Sequence, residues 1–375
     1  MSWDVIIVGG GSAGAAAAYQ CARSGLATVL LEKHALADAG ATWVNGIYRG
    51  AFDEAGTAQP EAPELRADGH RFHLVAGWGP YSVAIDNTGL LDVDMRHLLA
   101  RLRTGARAAG AELREHSGVR AIRAGAVDTA AGTLRARLVI DASGLGGLYR
   151  SEKPRPSEVC TAAQGVYAIR DQAAARAFFA GFGAVPGETV CFAAVAGGYS
   201  IVAARIDTIG SEGSGDAAVD ELSILTGSLP ALGFAAGKAL RDDFAARHPW
   251  IGDMVFGGHA PVPLHRPRRR LAFVTGDGAI VRLGDAAGQV YAAHGSGVGA
   301  QLVAARMLAE RVAKDGVNGA LGFERAWHRR FGAAFFAADA FRRISTLLGP
   351  RSVDFMMRRG LLPKSLIRFG FAAGL

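Results

Sequence analysis

"VIIVGGGSAGAAAA", residues 5–18, is the stretch of sequence that decides the fold. It opens with an apolar run, Asp4 to Val8, of the kind found in buried parallel strands. Gly9, Gly11 and Gly14 follow in a Gly-x-Gly-x-x-Gly spacing, and alanines succeed them. A strand, a tight turn and a helix are therefore predicted in direct succession.

The next residues complete a strand–helix–strand unit. The Ala-rich helix is predicted to run to about Ser24 and to end at Gly25, and a strand from Thr28 to Leu31 leads into Glu32. In such a unit the first glycine makes the turn, the second admits a pyrophosphate and the third lets helix and strand pack. The acid accepts hydrogen bonds from ribose hydroxyls. Because the whole unit is present, the sequence predicts a dinucleotide site.

The composition is that of an ordinary soluble globular protein. The 375 residues are 50% hydrophobic and 20% charged, enough for one large core or two coupled ones. The apolar segment at 5–18 lacks the basic flank of a secretion signal, and the run at 190–204 is too short to span a membrane. We expect a cytoplasmic protein without a metal site, because its cysteines are far apart and lack metal-ligand spacing: Cys21, Cys160 and Cys191.

The chain is basic, with a net charge of +7, and only five of its 41 basic residues are Lys. The favoured interpretation is a compositional bias toward Arg. The alternatives are attraction to an anionic cofactor, to an acidic carrier protein or to a membrane surface. Nucleic acid is not an expected partner, because no basic stripe interleaved with aromatic residues is present.

The remaining segments suggest further elements in chain order. Residues 36–90 look irregular, as an excursion that leaves the first sheet, and a helix is predicted from about Val93 to Ala108. A strand at 136–144 returns to the first domain, and strands and short helices alternate over 155–268. The predicted division is a discontinuous cofactor domain at 1–150 and 270–325, with the 36–90 excursion directed toward a substrate domain at 155–268, and a helical segment at 326–375.

The segment "VRLGDAAGQVYAAHGSGVGAQLVAARMLAE", residues 281–310, places one carboxylate, Asp285, among small residues. It begins like a strand and ends like a helix, and small residues let the backbone approach a polar, extended ligand. The alternative is a simple turn in which Asp285 caps free backbone N–H groups. The glycine motif at the start of the chain favours a cofactor.

Three motifs occur in a recognisable order: Gly9-x-Gly11-x-x-Gly14 with Glu32, "VIDASG" at 139–144, and "LGDAAG" at 283–288 leading into Gly295-Ser-Gly297. In this the chain resembles the FAD-dependent oxidoreductases of the aromatic-hydroxylase superfamily. Within that group it is most similar to the geranylgeranyl-reductase-like and flavin-halogenase-like branches. The likeness covers roughly residues 1–320.

The resemblance implies an α/β fold. Its parts are a Rossmann-like FAD-binding domain with a GR2-type βαβ unit, an inserted mixed β-sheet substrate domain and a helical C-terminal tail. It implies FAD as cofactor, with Asp285 bonding hydroxyls of the ribityl or ribose chain. The cofactor-binding residues it implies are Gly9, Gly11, Ser12, Ala13, Gly14, Glu32, Lys33, Arg96, Asp141, Ser143, Gly144, Gly284, Asp285, Gly295, Gly297 and Val298.

The chain departs from the family patterns in ways that bear on chemistry. Many aromatic hydroxylases have Asp-Gly where this chain has Ser143 and Gly144, so direct use of NAD(P)H is in question and a partner reductase is the alternative donor. No Lys stands between Lys33 and Lys153, where halogenases place theirs, so halogenation is not expected. The aromatic segment of geranylgeranyl reductases is represented by Tyr199 alone.

A flavin brings its own reactivity, so the protein mainly positions the substrate and excludes water. The residues considered for catalysis are His294, Tyr291 and Tyr199. His294 lies in the loop expected to face the ring, as a proton donor or hydrogen-bond partner, or else as a helix cap or a filler of a polar gap. Tyr291 and Tyr199 are candidate pocket walls, with core packing the favoured alternative.

The C-terminal stretch mixes basic and apolar residues and contains one acid, Asp354, over 341–375. Packing against the substrate domain is the favoured interpretation, and peripheral contact with a membrane is the alternative. The function expected is an FAD-dependent monooxygenase, or a related redox enzyme, acting on an apolar small molecule in specialised metabolism. Reduction of prenyl or other lipid double bonds is the alternative, and a non-catalytic flavin-binding protein is a third hypothesis. The substrate is a small molecule or lipid, free or bound to a carrier protein.

Overall fold

The structure is a computed structural model and describes residues 3–145, 147–149, 153–209 and 219–374. It contains two eight-stranded sheets. The strands are β1 Trp3–Val8, β2 Thr28–Leu31, β3 Val44–Tyr48, β4 Leu65–Ala76, β5 Ser82–Asp94, β6 Glu112–Arg114, β7 Val119–Arg123, β8 Ala126–Thr129, β9 Gly132–Asp141, β10 Val159–Ile169, β11 Thr189–Ala193, β12 Ser200–Ile209, β13 Val219–Ser228, β14 Ile251–Pro263, β15 Ala272–Thr275 and β16 Gly278–Arg282. The helices are α1 Ser12–Arg23, α2 Arg49–Ala55, α3 Met95–Ala108, α4 Gln172–Ala180, α5 Gly237–Arg247, α6 Val298–Asp315, α7 Gly319–Ser345, α8 Pro350–Arg358 and α9 Lys364–Gly374.

The first sheet has the strand order β15-β16-β9-β1-β2-β6, and β8 and β7 extend from β9. The registers pair Val8 with both Leu31 and Asp141, and Asp141 with Arg282, all in parallel strands. The carboxyl ends of β1, β2, β9 and β16 therefore meet at one edge of the sheet. The three motifs follow these strands, so they lie together where open α/β sheets bind ligands.

Helix α1 forms because alanine is the best helix former and because its Ala-rich face is buried. It ends at Arg23, and Gly25 follows with a left-handed backbone. The helix packs against β1, α3 and α6. This layer covers one face of the first sheet and fixes the start of α1 above the carboxyl end of β1.

The second sheet has the strand order β14-β10-β13-β12-β11-β4-β5-β3. Two separate chain segments supply its strands, 44–94 and 159–263, and they join where β4 and β11 pair in parallel. Helices α4 and α5 cover one face, where Phe179, Phe192 and Phe244 belong to one buried cluster. The mixed sheet, the Rossmann-like unit and the C-terminal helices confirm the predicted fold class.

The prediction that residues 36–90 are irregular was wrong. This segment contains β3, α2 and the two longest strands of its half of the sheet, β4 and β5. The register between them shifts at Leu65/Ala67 and again at Gly69/Arg71. Each shift reverses which residues face the core, so no strict alternation of apolar and polar residues appears in the sequence.

The C-terminal segment folds as α7, α8 and α9, with Leu375 outside the described residues. The inner side of α7 is buried through Phe323, Trp327, Phe331 and Phe335. Helix α8 contacts β4 and α9 contacts β5. Over the described ranges, the helices lack the length and apolarity needed to cross a membrane.

Candidate functional site

The glycine loop after β1 is shaped by two close contacts. A Cβ on Gly14 would lie 1.9 Å from the carbonyl oxygen of Gly9, and one on Gly9 would lie 2.4 Å from that of Ala142. Gly9 also has φ +102°, which side chains other than hydrogen disfavour. These two glycines are therefore required for the packing of β1, α1 and the loop after β9.

Gly11 is different, because it faces open space. A Cβ at this position would find only the Cα of Gly40, 3.7 Å away. The first turn of α1, with Ser12 and Ala13, has no side-chain cap. Its free N–H groups and the positive end of the helix favour an anion there. We call the open space at Gly11, together with the free N–H groups of the first turn of α1, the cradle. It fits a dinucleotide pyrophosphate.

Glu32 lies at the end of β2 and is buried, with 6% of its surface exposed. Its carboxylate accepts hydrogen bonds from the backbone N–H groups of Gly10 at 2.6 Å and His34 at 3.0 Å. Each carboxylate oxygen can accept a further bond. The carboxylate is thus fixed beside the glycine loop, where a ribose would reach it, while Lys33 next to it is exposed.

Arg103 reaches the same loop from α3, and the sequence analysis missed it. Its Nη2 donates to the carbonyl oxygens of Gly10 at 2.7 Å and Ala39 at 2.6 Å. Its Nε is buried without a partner among the described residues, and burial lowers the pKa of the guanidinium. An unpaired buried donor beside the cradle fits a bound anionic group.

Arg96, the arginine that the resemblance assigned to the cofactor, lies at the beginning of α3. Its guanidinium pairs with Asp94 at 2.6 Å and stacks 3.7 Å from the ring centroid of Phe256 on β14. The structure therefore engages Arg96 with the second sheet, and it is Arg103, two turns later, that contacts the glycine loop.

The second motif follows β9. Asp141 is fully buried, and its carboxylate accepts hydrogen bonds from the backbone N–H groups of Ser143, Leu148 and Tyr149. The Ser143 hydroxyl donates to the same carboxylate at 2.5 Å. Asp141 and Ser143 thus hold the loop that contains Gly144, and their polar groups are engaged within it.

The third motif follows β16 and contacts the first. A Cβ on Gly284 would lie 2.6 Å from that of Ala13. Gln301 of α6 donates from Nε2 to Asp285 at 3.2 Å and accepts from the Ser12 hydroxyl at 2.5 Å. Burial raises the pKa of Asp285, and the Gln301 hydrogen bond opposes this shift. Asp285 and the cradle are thereby linked across α1 and α6.

The loop after this motif closes on itself before α6 begins at Val298. The backbone N–H of Tyr291 donates to the carbonyl of Ser296 at 2.7 Å. A Cβ on Gly297 would lie 2.6 Å from the carbonyl oxygen of Gln289. A Cβ on Gly295 would lie 3.7 Å from the hydroxyl oxygen of Tyr199. Tyr199 lies in the turn between β11 and β12 of the second sheet. The loop at 289–297 of the first sheet therefore contacts the second sheet here.

His294 stands in this loop as a neutral imidazole. Its ring lies 4.8 Å from that of Tyr291, and burial lowers its pKa to about 4. Its Nδ1 accepts from the backbone N–H of Ser296 at 3.3 Å. The proton is therefore assigned to Nε2, which is buried and has no partner among the described residues. The arrangement provides one hydrogen-bond donor that is free to meet a ligand.

This depressed pKa predicts a specific loss of stability in acid. Between pH 6.5 and about 4 the unfolded His294 binds a proton and the folded one does not, so the free energy of unfolding falls as the pH falls through this window. The loss is up to about 3 kcal/mol. His294→Gln should show a shallower acid decline than the unmodified chain, measured by urea unfolding of flavin-free protein at pH 7.5 and 4.5. Parallel pH profiles would show that the histidine is not buried as described.

Helix α9 covers this loop. A Cβ on Gly374 would lie 2.6 Å from Cγ of Tyr291 and 2.9 Å from Nε2 of His294. One turn earlier, the Phe371 ring packs edge-on against Phe72 of β4, with centroids 5.3 Å apart. The C-terminal helix therefore closes the space above the residues predicted to be catalytic.

Phe72 also lines a cavity of about 110 Å³ on the second sheet. The lining residues Ser223 and Leu225 alternate along β13 with Leu222 and Ile224, which pack toward α4 and α5. The cavity therefore lies on the opposite face of the sheet. Its wall is mainly apolar but includes Asp92 and Arg205, which form an ion pair, and burial raises the pKa of Asp92.

The functional residues missed from the sequence, Arg103 and Gln301, share one signal. Both occupy helix positions whose neighbours three and four residues away are buried: Leu99 and Ala106 for Arg103, and Val298, Ala304 and Ala305 for Gln301. A long polar side chain on the apolar face of a helix requires a polar partner. In each case that partner belongs to a cofactor motif.

The model of the family described as FAD dependent oxidoreductase matches residues 4–152. No curated protein matches the sequence. Among solved structures, a geranylgeranyl bacteriochlorophyll reductase-like protein from Thermoplasma acidophilum is similar, with a TM-score of 0.76, 16% identity, and coverage of 95% of this chain and 91% of that one.

Two other solved structures are similar over nearly their full length. The flavin-dependent brominase Bmp2 has a TM-score of 0.68 at 16% identity, covering 100% of this chain and 95% of that one. PqsL from Pseudomonas aeruginosa, a probable FAD-dependent monooxygenase, has a TM-score of 0.65 at 16% identity, covering 96% and 100%. At these identities the likeness shows a shared fold, and the family match over residues 4–152 agrees with the expected FAD-dependent oxidoreductase.

Proposed function

We propose that this chain, whose residues 4–152 match the model of the FAD dependent oxidoreductase family, is a monooxygenase or related redox enzyme for an apolar small molecule. The observation that carries the proposal is the convergence of His294, Tyr291 and Tyr199 at the loop after the third motif. The first two come from the loop itself and the third from the second sheet. Substrate held by the second sheet would thus meet cofactor held by the first.

The residues present fit FAD. The open cradle at Gly11 and the first turn of α1 would hold the pyrophosphate, with the orphan Nε of Arg103 beside it. Glu32 would accept a ribose hydroxyl, and Asp285 would bond the ribityl chain or a ribose. The small residues Gly295 and Gly297 let the loop backbone approach the ring. FAD, when bound, supplies hydride transfer and oxygen activation.

The chain's own side chains orient the substrate and exclude water. Neutral His294 donates a hydrogen bond from Nε2 and cannot serve as a cationic acid at neutral pH, because burial depresses its pKa. The Tyr199 hydroxyl, whose pKa is raised by burial, stays protonated and is a second donor. Both groups stabilise negative charge that develops on a substrate oxygen.

The cavity on the second sheet supports the substrate class. Phe72, Leu90 and Leu225 provide apolar surface, while Asp92 offers an acceptor beside Arg205. A largely apolar molecule with one hydrogen-bond donor matches this lining. The same apolar surface favours the second candidate function, reduction of a prenyl or other lipid double bond. A carrier-bound form of either substrate is compatible with it.

The electron donor is proposed to be a partner reductase or free reduced flavin rather than NAD(P)H bound by this chain. Ser143 stands where the related hydroxylases have an acid, and its hydroxyl is engaged with Asp141. The sequence contains no second Gly-x-Gly-x-x-Gly motif after a strand. Anaerobic stopped-flow should therefore show flavin reduction by NADPH or NADH at least roughly tenfold slower than by free reduced flavin, a barrier difference of about 1.4 kcal/mol.

The same experiment separates the candidate reactions. When oxygen and substrate are then admitted, incorporation of labelled O₂ into product supports monooxygenation, and saturation of an alkene without oxygen supports lipid reduction. His294→Gln should retain FAD and its rate of reduction but slow product formation. Rapid reduction by NADPH alone contradicts the proposed donor, and unchanged product formation in the variant contradicts the role of His294.

Halogenation is not proposed, although a brominase shares the fold. Lys33 is exposed beside Glu32 at the cofactor end of the first sheet, and Lys153 is exposed after the loop that follows β9. A cytoplasmic location is also proposed. Cys21, Cys160 and Cys191 are free and buried, and burial raises the pKa of each thiol to about 12, as suits a reducing compartment.

A further inference from the structure

The outer side of α9 and the turn before it form an exposed apolar surface, here called the C-terminal apolar face. It consists of Leu361, Leu366 and Phe369, with 58%, 55% and 65% of their surfaces exposed. Leu366 and Phe369 are three residues apart and share one side of the helix. A helix in an ordinary surface position directs its apolar side inward, so this face requires a covering partner.

Basic residues accompany this face. From Phe355 to the end of the chain the sequence contains Arg358, Arg359, Lys364 and Arg368 and no acid. Lys364 and Arg368 are exposed and four residues apart, beside Leu366 and Phe369 on the helix surface. Their charge reaches Asp86 of β5, whose pKa is lowered chiefly by its hydrogen bond to Arg71 and further by Lys364 and Arg368.

The inner side of the same helix touches the candidate active site. Gly374 lies against Tyr291 and His294, and Phe371 packs on Phe72 at the cavity. One short helix thus has an apolar, basic outer side and an inner side that closes the site. A partner that binds the outer side therefore acts directly on access to His294.

We propose that α9 is a membrane-docking lid, whose C-terminal apolar face enters the headgroup region of an anionic lipid bilayer and whose displacement opens the site. Apolar residues flanked by Lys and Arg are the composition of interfacial helices, and each basic residue near an anionic membrane adds about 1 kcal/mol. A second copy of the chain is disfavoured, because two faces of the same positive charge would repel each other.

Binding of α9 to a membrane does not depend on the proposed function. Only the second part of the proposal, that displacement of α9 opens the site to substrate, rests on it. Flotation of the FAD-loaded full chain with vesicles therefore tests membrane binding directly. We expect binding to vesicles of phosphatidylcholine with 30% phosphatidylglycerol, about 30% being a typical anionic content, and little binding to pure phosphatidylcholine. Leu366→Ser/Phe369→Ser and Lys364→Glu/Arg368→Glu should each reduce the vesicle partition coefficient at least roughly tenfold, the loss of about 1.4 kcal/mol or more.

Matched controls lie far along the chain on other elements. Val255→Ser on β14 replaces an apolar side chain that is 56% exposed, and Arg137→Glu on β9 replaces a guanidinium that is 78% exposed. Both should leave vesicle binding unchanged. Equal binding to neutral and anionic vesicles, loss of binding in the controls, or a lipid-free dimer that the α9 variants dissociate would each overturn the proposal.

Opening of the lid has its own readout in hydrogen exchange. The backbone N–H groups of Tyr291 and Gly295 are hydrogen-bonded within the loop beneath α9. Anionic vesicles should accelerate exchange in a peptide covering 288–297, from which α9 is displaced, and neutral vesicles should not. Binding to anionic vesicles with unchanged exchange at 288–297 would overturn the lid, whereas FAD content and product formation test the enzyme separately.

Discussion

Gly11→Val is expected to give a folded protein that no longer retains FAD. The backbone at Gly11 is extended, with φ −68° and ψ −169°, and the nearest atom to the new Cβ among the described residues beyond its sequence neighbours is the Cα of Gly40 at 3.7 Å. The added methyl groups would occupy the cradle at the start of α1. Overpacking of a close contact costs about 1–3 kcal/mol, which corresponds to a roughly 5- to 150-fold weaker Kd for FAD.

The measurement is flavin content of purified protein, followed by titration of flavin-free protein with FAD by fluorescence quenching. Gly11→Ala is the graded control, with a smaller loss of affinity. Gly14→Val is the contrasting variant, because its Cβ would lie 1.9 Å from the Gly9 carbonyl oxygen and should disrupt folding itself. A yellow Gly11→Val protein with unchanged affinity would place the pyrophosphate elsewhere.

Arg103→Met is expected to weaken both the fold and cofactor binding. The substitution keeps most of the apolar stem but removes donors from the carbonyl oxygens of Gly10 and Ala39. Hydrogen bonds from charged groups contribute about 1.5–3 kcal/mol each, so the loss of two should lower the free energy of unfolding by about 3–6 kcal/mol. The glycine loop also loses the side chain that fixes it, so affinity for FAD should fall in parallel.

Arg96→Met is the matched control, on the same helix and with the same change of side chain. The Arg96 side chain is 42% exposed but its partner Asp94 is buried, so Arg96→Met also lowers stability, and the discriminating quantity is FAD affinity, which should fall only in Arg103→Met. Urea unfolding and FAD titration of both variants give the comparison. A larger loss of FAD affinity in Arg96→Met than in Arg103→Met would favour Arg96 as the cofactor-binding arginine, as the resemblance implies.

Local motifs made the first sheet predictable. The glycine spacing, the Ala-rich helix and the acid after β2 each have a local cause, and together they predicted the βαβ unit correctly. Asp285 was likewise expected beside the cofactor, and the structure links it to Ser12 through Gln301. The βαβ unit depends on residues close in sequence. The position of Asp285 depends on strands whose carboxyl ends meet at one edge of the sheet.

Features that depend on long-range packing could not be predicted from the sequence. The strands β4 and β5 were missed because two register shifts break their alternation. The contact of Arg103 with the glycine loop was not predicted, because which arginine of α3 reaches that loop depends on the rotation of α3 against α1. The contact of Gly374 with His294 joins residues 80 positions apart, and no local pattern indicates it.

The pairing of β9 with β16 has a consequence for synthesis of the chain. Val139 and Ile280 are neighbours in the finished sheet, yet the second sheet's strands β10 to β14 are translated between them. Until β16 leaves the ribosome, β9 presents an open edge of unpaired backbone groups, which is a template for wrong partners. Such distant parallel pairing also folds slowly. We therefore expect chaperones to bind nascent chains paused before residue 278, in which this edge is still unpaired.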